Sequence, residues 1–142
     1  MLFRSIQLVD GGSQQRCFTW IDDGISALVR ILQNPDGKAR GSIYNIGNPT
    51  NNYSVRDLAE MMLAIAKARP EYREYAEKVK IVETSSGAYY GAGYQDVNRR
   101  VPKIENTMRD LSWAPKVTMQ DSLERLFDYY RDQLDDARSL ND

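Results

Sequence analysis

Three stretches of this chain carry apolar side chains at helical spacing, and short β-type runs stand between them. Ile25, Leu28, Val29 and Leu32 recur at i, i+3, i+4 and i+7. Val55, Leu58, Met62 and Ile65 form a second stripe, and Met119, Leu123, Leu126, Phe127, Tyr130 and Leu134 a third. Strand-like runs fall at residues 6–9, 16–21, 42–46 and 79–82. Helices alternating with strands predict an α/β fold, with the apolar stripes as core positions. The strands are few, however, and none leads through a glycine-rich turn into a helix. Gly91-x-Gly93 lacks the third glycine of a dinucleotide fingerprint and follows a loop.

Local signals place the element ends. Asp10-Gly11-Gly12-Ser13 is turn chemistry. A helix is expected from Asp22 to the break at Asn34-Pro35-Asp36-Gly37. Ser54 with Asp57 forms a capping-box pattern for a helix reaching about Lys67. Arg69-Pro70 breaks it, and the charged stretch to Lys78 reads equally as helix or loop. Residues 85–102, rich in Gly and Tyr, predict a long irregular segment of the kind that is more often functional than idle. A short helix over Glu105–Leu111 and a final one capped by Thr118 close the pattern, with a fraying acidic tail.

Composition removes many function classes. The 142 residues suffice for one ordinary core, and 42% hydrophobic with 27% charged residues is the profile of a soluble globular chain. A net charge of −1 speaks against nucleic acid as partner. No apolar run is long enough for a membrane span, and no signal peptide opens the chain, so a cytoplasmic location is expected. With no histidine and one cysteine, Cys17, a metal site is not expected, and histidine-based nucleophile systems are excluded. The opening Met1-Leu2-Phe3-Arg4-Ser5 runs straight into a strand, which reads as a start within a domain.

Two segments carry candidate chemistry. Arg16, at the end of the glycine turn, has the planar donor fork that suits a diphosphate; a surface arginine beside a core Phe18, with Asp22 or Asp23 capping the helix, remains the alternative. The run Tyr89-Tyr90-Gly91-Ala92-Gly93-Tyr94-Gln95-Asp96-Val97-Asn98-Arg99-Arg100 combines tyrosines, glycines and adjacent arginines. Such a loop can wrap a polar anion, or be solvated with incidental charge.

D-G-G-S-Q-Q-R-C-F-T-W-I-D-D-G from Asp10, I-Y-N-I-G-N-P from Ile43, S-V-R-D-L-A-E from Ser54 and L-S-W-A-P-K from Leu111 together resemble the carboxyl-terminal half of extended short-chain dehydrogenases/reductases. The run Y-Y-G-A-G-Y-Q-D-V-N-R-R-V-P-K-I from Tyr89 is similar to the members that oxidise and decarboxylate UDP-glucuronic acid. The resemblance implies an incomplete Rossmann-type α/β domain with few strands and about four helices. Residues 1–142 would be the substrate-binding part, with the amino-terminal NAD-binding part absent.

It also implies site residues. Gln7, Leu8, Val9, Asp10, Gly11, Gly12, Ser13, Gln14, Gln15 and Arg16 would line the UDP site, Tyr94 would contact substrate, and Arg100 would be the catalytic group, assigned in the family as proton donor. A guanidinium holds its proton too tightly to be a good acid at neutral pH, so gripping the carboxylate and stabilising the developing enolate is as sound a role. The implied reaction is NAD-dependent oxidation at the sugar C4 followed by loss of carbon dioxide, giving a UDP-4-keto-pentose. The family's hydride chemistry needs a Tyr-x-x-x-Lys pair, and no tyrosine here has lysine four positions on. The chain alone is therefore expected to hold no NAD and to be inactive, while the complete enzyme binds NAD, takes a UDP-sugar and forms a homo-oligomer. A sibling UDP-sugar epimerase, a UDP-xylose synthase and a binding module without chemistry are the alternatives.

Overall fold

The computed structural model describes residues 5–91, 97–131 and 133. Along the chain, β1 (Ser5–Val9) leads through a 3-10 turn at Asp10–Gly12 into β2 (Gln15–Cys17) and α1 (Ile21–Gln33). A second 3-10 turn at Pro35–Gly37 precedes β3 (Asn52–Ser54), α2 (Val55–Ala68), α3 (Pro70–Ala76) and β4 (Lys80–Thr84). Then come α4 (Ser86–Tyr90), α5 (Glu105–Leu111) and α6 (Met119–Arg131). This is a mixed α/β chain with few strands, as its alternating pattern predicts. It divides into two compact units, one drawn from Met1–Gln14, Ser54–Asn98 and Gln120–Asp142, the other from Gln15–Tyr53 and Arg99–Met119.

In the first unit β1 and β4 pair in parallel, Ser5 opposite Lys80 through Val9 opposite Thr84. Leu8, at 1% exposure, is the buried centre of that pair, and Ala59, Ile65, Ala76 and Leu123 are buried in the same unit. The turn after β1 holds Asp10, Gly11 and Gly12 at φ values of 47°, 71° and 70°. Glycine takes that left-handed backbone without steric cost. A side chain at Gly12 would also press on the Arg56 backbone nitrogen, 3.0 Å from the added Cβ. Ser54 and Asp57 make the expected capping box, each side chain accepting from the other's backbone N–H at 2.9 Å. Arg69 ends α2 and spans to α6, donating to Glu124 Oε2 at 2.5 Å and Asp128 Oδ1 at 2.6 Å. Its guanidinium also lies 5.6 Å from the Phe127 ring centre.

The second unit is built on Ala27, Ile104, Leu111 and Trp113, with Ile31, Ala39, Tyr44 and Ile46 packed against them. Buried polar groups tie its loops. Asp23 Oδ2 accepts from the Lys116 and Val117 N–H groups at 2.9 and 3.0 Å, and Asn48 and Asn51 both donate to the Val117 carbonyl. The pair β2–β3 is flanked by the Phe18 N–H donating to the Asn51 carbonyl at 3.0 Å.

Four sequence expectations are corrected. Six helices, not about four, stand among the described residues, because the charged stretch after Arg69 forms α3 and part of the expected irregular segment forms α4. Residues 42–46 are not a strand. Their carbonyls are taken by side chains instead: Asn106 Nδ2 donates to Ile43 O and Thr107 Oγ1 to Asn45 O. The β-run from Arg16 stops at Cys17, and α1 begins at Ile21. Finally, the α1 stripe is not core. Ile25, Leu28, Val29 and Leu32 are 43–84% exposed, while Asp23, Ala27 and Ile31 face the interior. An i, i+4, i+8 line with a small alanine at its centre lets α1 pack closely, and the larger apolar residues fall outside that contact.

Candidate functional site

The geometry centres on a strap, residues 99–103, in the second unit. Arg99 forms a parallel bridge with Gln15 at the edge of β2. At the other end Asn45 Nδ2 donates to the Lys103 carbonyl at 3.0 Å, and the Asn45 carbonyl itself accepts from Thr107. Between these ties Pro102 sits against Gly47. Arg16 Nη1 donates to the Gln15 carbonyl at 2.8 Å, and Gln15 Oε1 accepts from Asn52 Nδ2 at 3.0 Å, which steadies β2 beside the strap.

Strap, β2 and the loop at 45–47 border an open cleft of about 690 Å³, within the ~300–1,000 Å³ range of small-molecule sites. Arg16, Arg99, Arg100 and Lys103 line it, with Cys17, Thr19 and Asn45 as further polar groups and Ile46, Val101 and Pro102 as apolar wall. No carboxylate lines it among the described residues. In a chain of net charge −1 this is a local concentration of four cations. Such a cleft draws anions, and guanidinium forks match phosphate and carboxylate oxygens two at a time. Burial pushes the Cys17 thiol up from its ordinary value, and the Arg99 charge opposes that rise.

The sequence-derived site residues separate between the units. Gln7, Leu8, Val9, Asp10, Gly11, Gly12, Ser13 and Gln14 belong to the first, whereas Gln15, Arg16 and Arg100 belong to the second. Leu8 is core, and the Gly11 carbonyl accepts from Arg56 Nε at 3.0 Å. Asp10 Oδ1 accepts from the Ser86 N–H at 2.8 Å, and hydrogen bonding to the Ser86 side chain, with this backbone bond second, holds its carboxyl below the usual range. The Gln14 carbonyl accepts from the Val55 N–H. Arg16 and Arg100, 84 positions apart in the chain, line the same cleft. Tyr94 lies outside the described residues.

Sequence reasoning did not single out Lys103, Asn45 or Gly47. Lys103 sits three residues after Arg100, so a basic cluster was visible there. Asn45 and Gly47 were visible only as parts of a motif, without a role. The glycine turn after β1 opens into β2 rather than a helix, so no helix N-terminus meets a pyrophosphate there. Nor is there a cluster of three metal-ligating side chains among the described residues. No helix among them is long and apolar enough to cross a membrane.

Residues 2–47 match the NAD dependent epimerase/dehydratase family. The chain is 53% identical, over 96% of its length, to the PbgP3 protein from Burkholderia pseudomallei, with a TM-score of 0.81. It spans 37% of that protein's chain. Its fold is also similar to dTDP-glucose 4,6-dehydratase from Bacillus anthracis in complex with NAD, at 19% identity and TM-score 0.66. That match covers 91% of this chain and 35% of the other. RMD from Pseudomonas aeruginosa complexed with NADPH matches at 19% identity and TM-score 0.59, over 84% of this chain and 33% of that one.

Proposed function

We propose that this chain belongs to the NAD-dependent epimerase/dehydratase family and forms the substrate-binding part of a sugar-nucleotide enzyme. The specific reading is a UDP-glucuronate oxidative decarboxylase that makes a UDP-4-keto-pentose, on the route to 4-amino-arabinose modification of lipid A and polymyxin resistance. The cleft carries this proposal: four cations, with no carboxylate lining the cleft among the described residues, suit a ligand with both a diphosphate and a carboxylate. The family match and the 53% identical relative support the coarser part of it. Arg16 is the diphosphate contact in this reading, Arg100 grips the uronate carboxylate, and Tyr94 touches the substrate. Gln15, next to Arg16 on β2, supplies a further UDP contact of the proposal.

Arg100 is the catalytic residue in this reading: its guanidinium grips the uronate carboxylate and orients it for carbon–carbon cleavage. The same cation then stabilises the enolate oxygen that develops as carbon dioxide departs. Hydride transfer to NAD is assigned to no residue of this chain. The exposed apolar stripe of α1 fits a surface that packs against further polypeptide in the working enzyme.

The test is calorimetric titration of this chain with UDP-glucuronate, UDP-glucose and UDP. UDP-glucuronate should bind most tightly. Arg16→Ala should weaken all three about tenfold or more, since a charged hydrogen bond contributes roughly 1.5–3 kcal/mol. Arg100→Met should remove the preference for the uronate while leaving UDP affinity nearly intact. Equal affinity of the unaltered chain for UDP-glucose and UDP-glucuronate would favour a sibling epimerase, and no binding of any of the three would overturn the sugar-nucleotide reading.

A further inference from the structure

Gly47 lies buried beneath the strap, and its backbone does not occupy the left-handed region that would by itself demand glycine. Space is the constraint instead. A Cβ added to Gly47 would stand 2.7 Å from Pro102 Cγ, 3.5 Å from Pro102 Cβ and 3.7 Å from Thr19 Oγ1. Carbon–carbon contact at 2.7 Å is far inside the van der Waals minimum of ~3.5–4.0 Å, so one partner must move. Pro102 cannot swing aside as a flexible side chain would, because its ring is closed onto the backbone. Ring pucker can shift Cγ alone, so the part of the clash that pucker leaves unrelieved moves the strap.

The strap is held on both sides of Pro102, by the Gln15–Arg99 bridge and by Asn45 donating to the Lys103 carbonyl. A push at Pro102 therefore either bows residues 100 and 101 into the cleft or breaks one of the two ties. Either way Arg99, Arg100 and Lys103 change position relative to Arg16. We infer that Gly47 is a positioning residue: its missing side chain seats Pro102 and so sets where the strap's cations stand in the cleft. This rests on the reading of the cleft as an anion site, but its test does not depend on which anion binds.

Cys17 provides a reporter, since it lines the cleft and is the chain's single cysteine. Iodoacetate and iodoacetamide consume the same thiolate, so the ratio of their rates cancels the thiol's acidity and reports the field around it. With the strap seated, its cations should raise the ratio for the anionic reagent above that of a free thiol, and added salt should lower it. Gly47→Ala should lower the ratio several-fold towards the free-thiol value, and weaken UDP-glucuronate binding as well. Pro102→Ala placed in the Gly47→Ala chain should restore both, because an alanine in place of the proline retains only the Cβ, which lies at an ordinary contact distance.

Should Gly47→Ala fail to fold, the double variant carries the test alone, and a folded double variant with the unaltered ratio supports the inference. An unchanged ratio in folded Gly47→Ala overturns it. So does a double variant that stays defective or unfolded, because Gly47 would then be required for something other than Pro102. If the unaltered chain shows the raised ratio but binds no sugar nucleotide, the substrate proposal fails while the Gly47 inference stands on the thiol rates.

Discussion

At the scale of single residues, Asp23 shows how one side chain can carry a different role from the one its position suggests. An acidic residue in the first turn of α1 reads as a cap, yet the N-cap position is Trp20 and makes no side-chain cap bond. Asp23 is 7% exposed and accepts two backbone N–H groups, from Lys116 and Val117. Asp23→Ala would leave those donors buried without a partner. The expected cost is about 2–4 kcal/mol, from ~1–3 kcal/mol for each unsatisfied group with partial access to water, and chemical denaturation would measure it. Cys17 offers a second residue-scale test. Its folded thiol stands above its ordinary value through burial, and Arg99 holds that rise in check. Arg99→Ala should therefore move the thiol further up, so iodoacetamide alkylation at mildly alkaline pH slows and its pH midpoint rises. A midpoint that falls instead would mean Arg99 does not act on the thiolate.

Elements report where pattern and packing agree. The capping box of α2 was legible because its bonds run between residues three apart, and the helix starts where Ser54 and Asp57 say it does. Ser54→Ala should cost about 1 kcal/mol. The Asp57 carboxyl is held below its usual value by Ser54. Its contribution is thus present above the unfolded carboxylate value near ~4, and is lost as pH falls through the lower folded value. The stability gap between Asp57→Ala and the unaltered chain should shrink below that pH. Arg69, by contrast, reads in sequence only as the residue before a proline that breaks a helix. In the fold it clasps α6 through Glu124, Asp128 and the Phe127 ring, more than fifty residues on. Arg69→Ala should free the α6 end, with amide exchange over 124–131 accelerating while α5 keeps its protection.

For the molecule as a whole, the α1 surface is the feature with the largest physical consequence. Ile25, Leu28, Val29 and Leu32 leave an apolar face in water, and such faces favour association. Leu28→Lys with Leu32→Glu should lower binding of an apolar fluorescent dye without lowering the melting temperature; a fall of several degrees would show that the face is packed after all. Local chemistry in the sequence was sufficient for the α/β class, the element types of α1, α2, α5 and α6, the β1 and β4 strands, the glycine turn and a capping box. Each of these depends on hydrogen bonds or steric limits between near neighbours, so the order of residues determines them. Arg16 and Arg100 could be named from the sequence, but their meeting in one cleft could not. It depends on β2 bridging Arg99 and on Gly47 admitting the Pro102 ring. Which face of α1 is buried, and why residues 42–46 do not form a strand, were likewise decided by tertiary packing. Small side chains permit close approach, and carbonyls take whichever donors the fold brings to them.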